Sequence, residues 1–107
     1  MIVRLWHGWT TRENAPSYER LLTAEILPGI HRVPGFRGAE LLRRDAAGEV
    51  EFVTLTFFES MDAVRTFAGD DWEAAVVPPE ARRLLSRFDP RAAHYEAVIR
   101  TEAQRIP

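Results

Sequence analysis

The sequence predicts an α+β fold, a ferredoxin-like βαββαβ unit with an antiparallel four-stranded sheet. Three observations predict it. Apolar, β-type runs lie at about 2–9, 36–44, 50–59 and 92–100. Segments with helical spacing fill the intervals before the second and fourth of these runs. A short turn at 45–49 containing Gly48 joins the second and third runs as a hairpin.

Each element has a local reason. In the first run Ile2, Val3, Leu5, Trp6 and Trp9 are interrupted only by Arg4, His7 and Gly8, the pattern of a strand covered on both faces. Asn14 is placed to cap a helix, and Pro16 suits its first turn. Tyr18, Leu21, Leu22 and Ile26 form one apolar stripe, which Pro28-Gly29 ends or distorts before a last turn at Ile30-His31-Arg32. Pro34-Gly35 breaks the helix, and Gly38, just inside the second strand, predicts a bulge. In the third strand Val53, Leu55 and Phe57 alternate with Phe52, Thr54, Thr56 and Phe58, so neither face is plainly polar. Ser60 caps a helix that buries Val64, Phe67 and Ala68 and stops at Gly69. A short helix is expected over 70–75 and a third helical piece, carrying Leu84, Leu85 and Phe88, after Pro79. The final strand is expected over 92–100, followed by a polar, frayed tail over 101–107.

The 107 residues suit one domain, with its core over about 2–100. A net charge of -2 offers no basic excess for phosphates, so nucleic acid is not an expected partner. With no cysteine there is no disulfide, thiolate nucleophile or cysteine-held metal, and no histidine spacing makes a metal motif. No membrane span and no signal-peptide pattern is read, and the expected location is the cytoplasm. Helices cover one face of such a sheet, yet the strands are apolar on both. A second copy of the sheet is the cheapest cover, which predicts a homodimer.

Seven residues are candidates for chemistry or binding. His94 sits mid-strand, where burial favours the neutral imidazole and a role as base; the alternative is a core histidine bonded to a neighbouring strand. His7 lies in strand one, which should neighbour the last strand, so a His7–His94 pair forms if the register puts both on one face. Arg4 interrupts an apolar strand and needs a partner: an ion pair with Glu96 or Glu51 is preferred, and an anchor for an anionic or phenolate-like ligand is the sharper alternative. Trp6 and Trp9 fall on opposite faces, so one of them can line a pocket. Trp72 is either a pocket lid or an apolar anchor, and Tyr18 and Tyr95 can each donate a hydrogen bond to a ligand. No metal site and no cofactor is expected.

Pro34-Gly35-Phe36-Arg37-Gly38-Ala39 with its hairpin, Phe57-Phe58-Glu59-Ser60-Met61-Asp62-Ala63-Val64, and His94-Tyr95-Glu96 together resemble the antibiotic biosynthesis monooxygenase superfamily of dimeric α/β barrels. The resemblance spans about residues 2–100 and implies a dimeric α/β barrel with a pocket between sheet and helices. It implies a cofactor-independent monooxygenase acting on a small aromatic or polyketide-like substrate, with His94 as base and Arg4 or a tyrosine stabilising negative charge. A cyclase or isomerase on the same scaffold, and a non-catalytic ligand-binding or stress-response dimer, are the alternatives. The superfamily's heme-degrading members carry an axial histidine, a helical tryptophan and a strand-one asparagine. These fall here at about Val76, Phe67 and His7, so heme degradation by that route is not expected.

Overall fold

The computed structural model describes residues 1–103. Strand β1 (Ile2–Thr11) and strand β3 (Glu49–Phe58) form the centre of an antiparallel sheet, and β2 (Phe36–Ala46) flanks β3. The other edge of β1 is shared. Strand β4 (Leu85–Phe88) pairs with Gly8–Thr10, and β5 (Ala93–Glu96) pairs with Ile2–Leu5. The expected central strands and the hairpin are therefore present; the expected last strand is the shorter β5, and the edge is split because β4 forms where helix was expected.

The reasons for this split lie along β1. The carbonyl of Leu84 is taken by the Thr10 hydroxyl, and Leu85 turns extended, so the predicted third helical piece becomes helix α4 (Pro79–Leu84) followed by β4. At the other end the Ala97 N–H reaches the Met1 carbonyl at 2.9 Å. β5 ends at Glu96, short of the expected residue 100. The expected tail falls partly on 104–107, outside the described residues.

The first helical stretch is continuous but uneven: α1 (Ala15–Leu21), a π-helical turn (Leu22–Ile26) and α2 (Leu27–Ile30). Pro28 has no N–H and its ring crowds the preceding turn, so the helix widens ahead of it instead of ending. Asn14 occupies the N-cap position without capping through its side chain. Ser60 does cap helix α3 (Met61–Ala68), its Oγ accepting from the Ala63 N–H at 3.2 Å, and Gly69 ends that helix at φ 89°. The hairpin turn places Ala47 and Gly48 both at positive φ, the geometry that matches strand twist. The ladder slips between Phe36 and Gly38, the expected bulge.

All helices lie on one face of the sheet. There Tyr18, Leu22, Val50, Phe52, Ala81 and Leu85 form one buried cluster, and Phe58, Ala63 and Val64 form a second with Phe67 and Trp72 against it. Each fully buried aromatic or branched side chain contributes roughly 1.5–3 kcal/mol. Alternation sends Val3, Leu5, Val53, Leu55 and Phe57 to the other face, where they are only half-buried beside exposed Leu42 and Tyr95.

Two glycines make opposite predictions. Gly35 has φ +83° and a Cβ there would lie 2.7 Å from the Ala63 Cβ, so Gly35→Ala should cost about 2 kcal/mol or more in urea unfolding. Gly29, in α2, has nothing within 4 Å of such a Cβ, so Gly29→Ala should stabilise by about 0.5–1 kcal/mol. A neutral Gly35→Ala would contradict this reading of the turn into β2.

Candidate ligand pocket

Arg4 lies opposite Thr56 on β3 and His94 on β5, so the three side chains share the helical face of the sheet. Only 5% of Arg4 is exposed. Its Nη1 donates to the Trp72 carbonyl at 2.5 Å and meets the His94 Nε2 at 3.1 Å, while Nη2 donates to the Ala74 carbonyl at 2.9 Å. The guanidinium carbon stands 5.5 Å from the Phe67 ring centroid, a cation–π contact.

No carboxylate among the described residues pairs with Arg4, which corrects the preferred expectation of an ion pair. Glu51 projects from the opposite face and holds Arg44 at 2.9 Å, and Glu96 is exposed at the end of β5. The acceptors come instead from 70–75, which forms a turn where a short helix was expected. A helix would direct the Trp72 and Ala74 carbonyls along its own axis. Here the segment is tied to 90–92 by Ala75 N–H to Pro90 O at 2.9 Å and Ala92 N–H to Glu73 O at 2.7 Å. That frees the two carbonyls for Arg4.

His94 is defined by the same contact. A guanidinium only donates, so the His94 Nε2 is the acceptor and the proton sits on Nδ1. Nδ1 is buried without a partner among the described residues. Burial lowers the imidazole pKa, the Arg4 charge lowers it further, and Glu73 pulls the other way. Burial also holds the Arg4 pKa below its ordinary value. His94 packs edge-on to Trp72 and is not on the cavity wall, so the expected base has no lone pair facing a substrate.

Beside Arg4, where the two apolar clusters meet, is a cavity of about 60 Å³. That is room for roughly four waters. Trp6, Thr54 and Thr56 come from the sheet, Tyr18 and Leu22 from the first helix, and Phe67 and Val76 from α3 and the segment after it. Trp6 is fixed by its indole N–H, 2.7 Å from the Asp89 carbonyl. Tyr18 is 2% exposed, and burial pushes its phenol up to about 12, so it stays protonated at neutral pH and serves as a donor, not a base.

Arg4, Trp6 and Tyr18 are thus brought together, whereas the other candidates lie elsewhere. His7 is on the opposite face, with Nδ1 3.1 Å from Asp89 Oδ2 and its ring 5.8 Å from that of Trp9. The register pairs His94 with Arg4, so no His7–His94 pair forms. Tyr95 is 57% exposed on that same opposite face. Trp72 packs against the Phe58 cluster as an anchor, and its carbonyl rather than its ring serves the pocket. Sequence reasoning did not name Thr54 and Thr56 as pocket residues; two hydroxyls at inward positions of an apolar strand were the available signal. Val76 and Leu22 carried no signal beyond being apolar.

A small antiparallel α+β sheet with a buried cation beneath a helix-roofed cavity defines the class. The family model for antibiotic biosynthesis monooxygenase matches residues 1–77, and the chain belongs to that family. No curated protein matches. Among solved structures the chain is similar to MhuD, a heme-degrader from Mycobacterium tuberculosis. A mutant MhuD with two manganese protoporphyrin IX groups per active site is 22% identical, with a TM-score of 0.70 over 96% of this chain and 100% of that one. The ActVA-Orf6 monooxygenase of Streptomyces coelicolor, in complex with nanaomycin D, is 17% identical, with a TM-score of 0.62 over 96% of this chain and 92% of that one. At these identities the likeness is one of fold.

The His94 contact makes stability pH-dependent. A folded-state pKa depressed below the ordinary histidine value means stability is complete above about pH 6.5 and falls as pH drops through the lowered value. Thermal melts from pH 8 to pH 5 should show a declining midpoint for the native chain. His94→Gln, which cannot titrate, should decline less; equal slopes would contradict the assignment.

Proposed function

We propose that the protein is a cofactor-independent monooxygenase for a small aromatic or polyketide-like substrate bound beside Arg4. The observation that carries this reading is a buried guanidinium bonded only to neutral acceptors at a cavity otherwise lined mainly by apolar groups. In such surroundings a positive charge favours the ionised form of an adjacent phenol or enol. The resulting carbanion equivalent attacks dioxygen, forming a carbon–oxygen bond and a hydroperoxide. Loss of water from the hydroperoxide leaves a carbonyl, so a CH2 group and O2 yield C=O and H2O. Arg4 stabilises the anion, Tyr18 donates a hydrogen bond, and the apolar wall limits water. His94 acts through Arg4 as a positioning residue, and the first proton leaves to solvent.

Heme does not fit this cavity. Among the described residues its wall presents no imidazole, thiolate or thioether, and Val76 stands where the resemblance places an axial histidine. A wall without a base favours a second reading, a binding protein without turnover. The half-buried Val3, Leu5, Val53, Leu55 and Phe57 support a homodimer in which two sheets cover one another.

Metal-free protein should consume oxygen with an anthrone-type substrate, and Arg4→Met should lower kcat/KM by about 100-fold, the usual loss for one oxyanion donor. Arg4→Lys should retain part of the rate. Binding without oxygen uptake across a broad panel would favour the non-catalytic reading.

A further inference from the structure

A groove of about 350 Å³ lies immediately outside the cavity. Ile26, Ile30, Phe67, Val76 and Pro78 belong to the walls of both, so they form the partition between an inner chamber and an outer one. The polar character of the two differs. Arg4, Tyr18, Thr54 and Thr56 face the inner chamber only. The charged groups of the outer one are Glu25 and Glu80, both exposed. Part of the partition is carried by the π-helical turn and by α2, with Pro28 between Ile26 and Ile30. A widened turn followed by a residue without an N–H leaves this stretch of helix with a weakened hydrogen-bond ladder, so its side chains are the ones most able to part.

Resting on the pocket reading above, we propose that the ligand is an elongated monoanion whose single anionic oxygen head seats on Arg4 in the inner chamber while its apolar body lies in the outer groove. Charge complementarity decides the orientation. Among the described residues lining the two chambers, the only cation lies at the inner end, beyond an apolar partition. A second anionic group at the outer end would sit against two carboxylates. A carboxylate head and a phenolate head share this chemistry. The inner chamber takes the head alone, so ring systems and chains must extend past Phe67 into the groove.

Gly29 supplies a clean test, because it lines the groove, adopts no positive φ, and has open space for 4 Å around the point where a Cβ would stand. Calorimetric titration under nitrogen would use a phenylalkanoate, its primary amide, a dicarboxylate of equal length, and a phenol of similar size titrated above and below its pKa. The phenylalkanoate should bind at least tenfold more tightly than the amide or the dicarboxylate, and the phenol more tightly once ionised. Gly29→Trp should weaken the phenylalkanoate at least tenfold while leaving formate, which needs only the inner chamber, unchanged. Equal binding of acid and amide would overturn the anionic head. An unaffected phenylalkanoate in Gly29→Trp would overturn the outer chamber, and no binding at millimolar concentration would overturn both. These ligands are not oxidised, so a protein that shows this pattern yet never consumes oxygen would refute the monooxygenase reading and leave the two-chamber slot intact.

Discussion

A guanidinium taken out of water without a carboxylate is the constraint around which the rest of this structure is arranged. Desolvating such a cation costs several kcal/mol even after relaxation, and hydrogen bonds to charged groups return roughly 1.5–3 kcal/mol each. Arg4 recovers that cost from three directions: two main-chain carbonyls, one imidazole and one aromatic face. Each demands something of the chain. The carbonyls require 70–75 to stay non-helical. The imidazole requires β5 to pair with β1 in a register that sets His94 opposite Arg4, and the aromatic face requires Phe67 on the inward side of α3. A carboxylate in place of any of these would neutralise the charge.

Much of the frame was legible in the residues, for local reasons. Pro28, the Gly38 bulge, the Ser60 cap and the Gly69 stop act within a few positions of themselves, and the structure carries each of them. What was not legible depends on partners distant in sequence. Whether Asp71–Ala75 coils or turns is decided by Arg4 and by 90–92, and Leu85 becomes strand because Thr10 takes the preceding carbonyl and β1 has an open edge there.

The same distinction applies to the site. Arg4, Trp6 and Tyr18, which line one cavity, were singled out from an interrupted strand and an amphipathic stripe, features visible along the chain. His7 and Tyr95 were misplaced by strand parity, since an odd step along a strand moves a side chain to the other face. His94 was read as either a base or a core histidine bonded to a neighbouring strand, and the structure sets its Nε2 against Arg4 on β1. Its task follows from which atom faces Arg4, and only three dimensions supply that.

The sheet thus has two unlike faces. One is covered by helices and holds a cavity beside a buried cation; the other carries half-buried Val3, Leu5, Val53, Leu55 and Phe57 beside His7 and Glu51 and is uncovered within one chain. The most direct measurement of the central claim is a spectrophotometric titration of a chromophoric phenol, free and bound to the protein. An uncompensated Arg4 predicts a bound phenol that ionises at least one pH unit below the free one, with the shift abolished in Arg4→Met. A bound phenol that ionises at the same pH or higher would contradict the account.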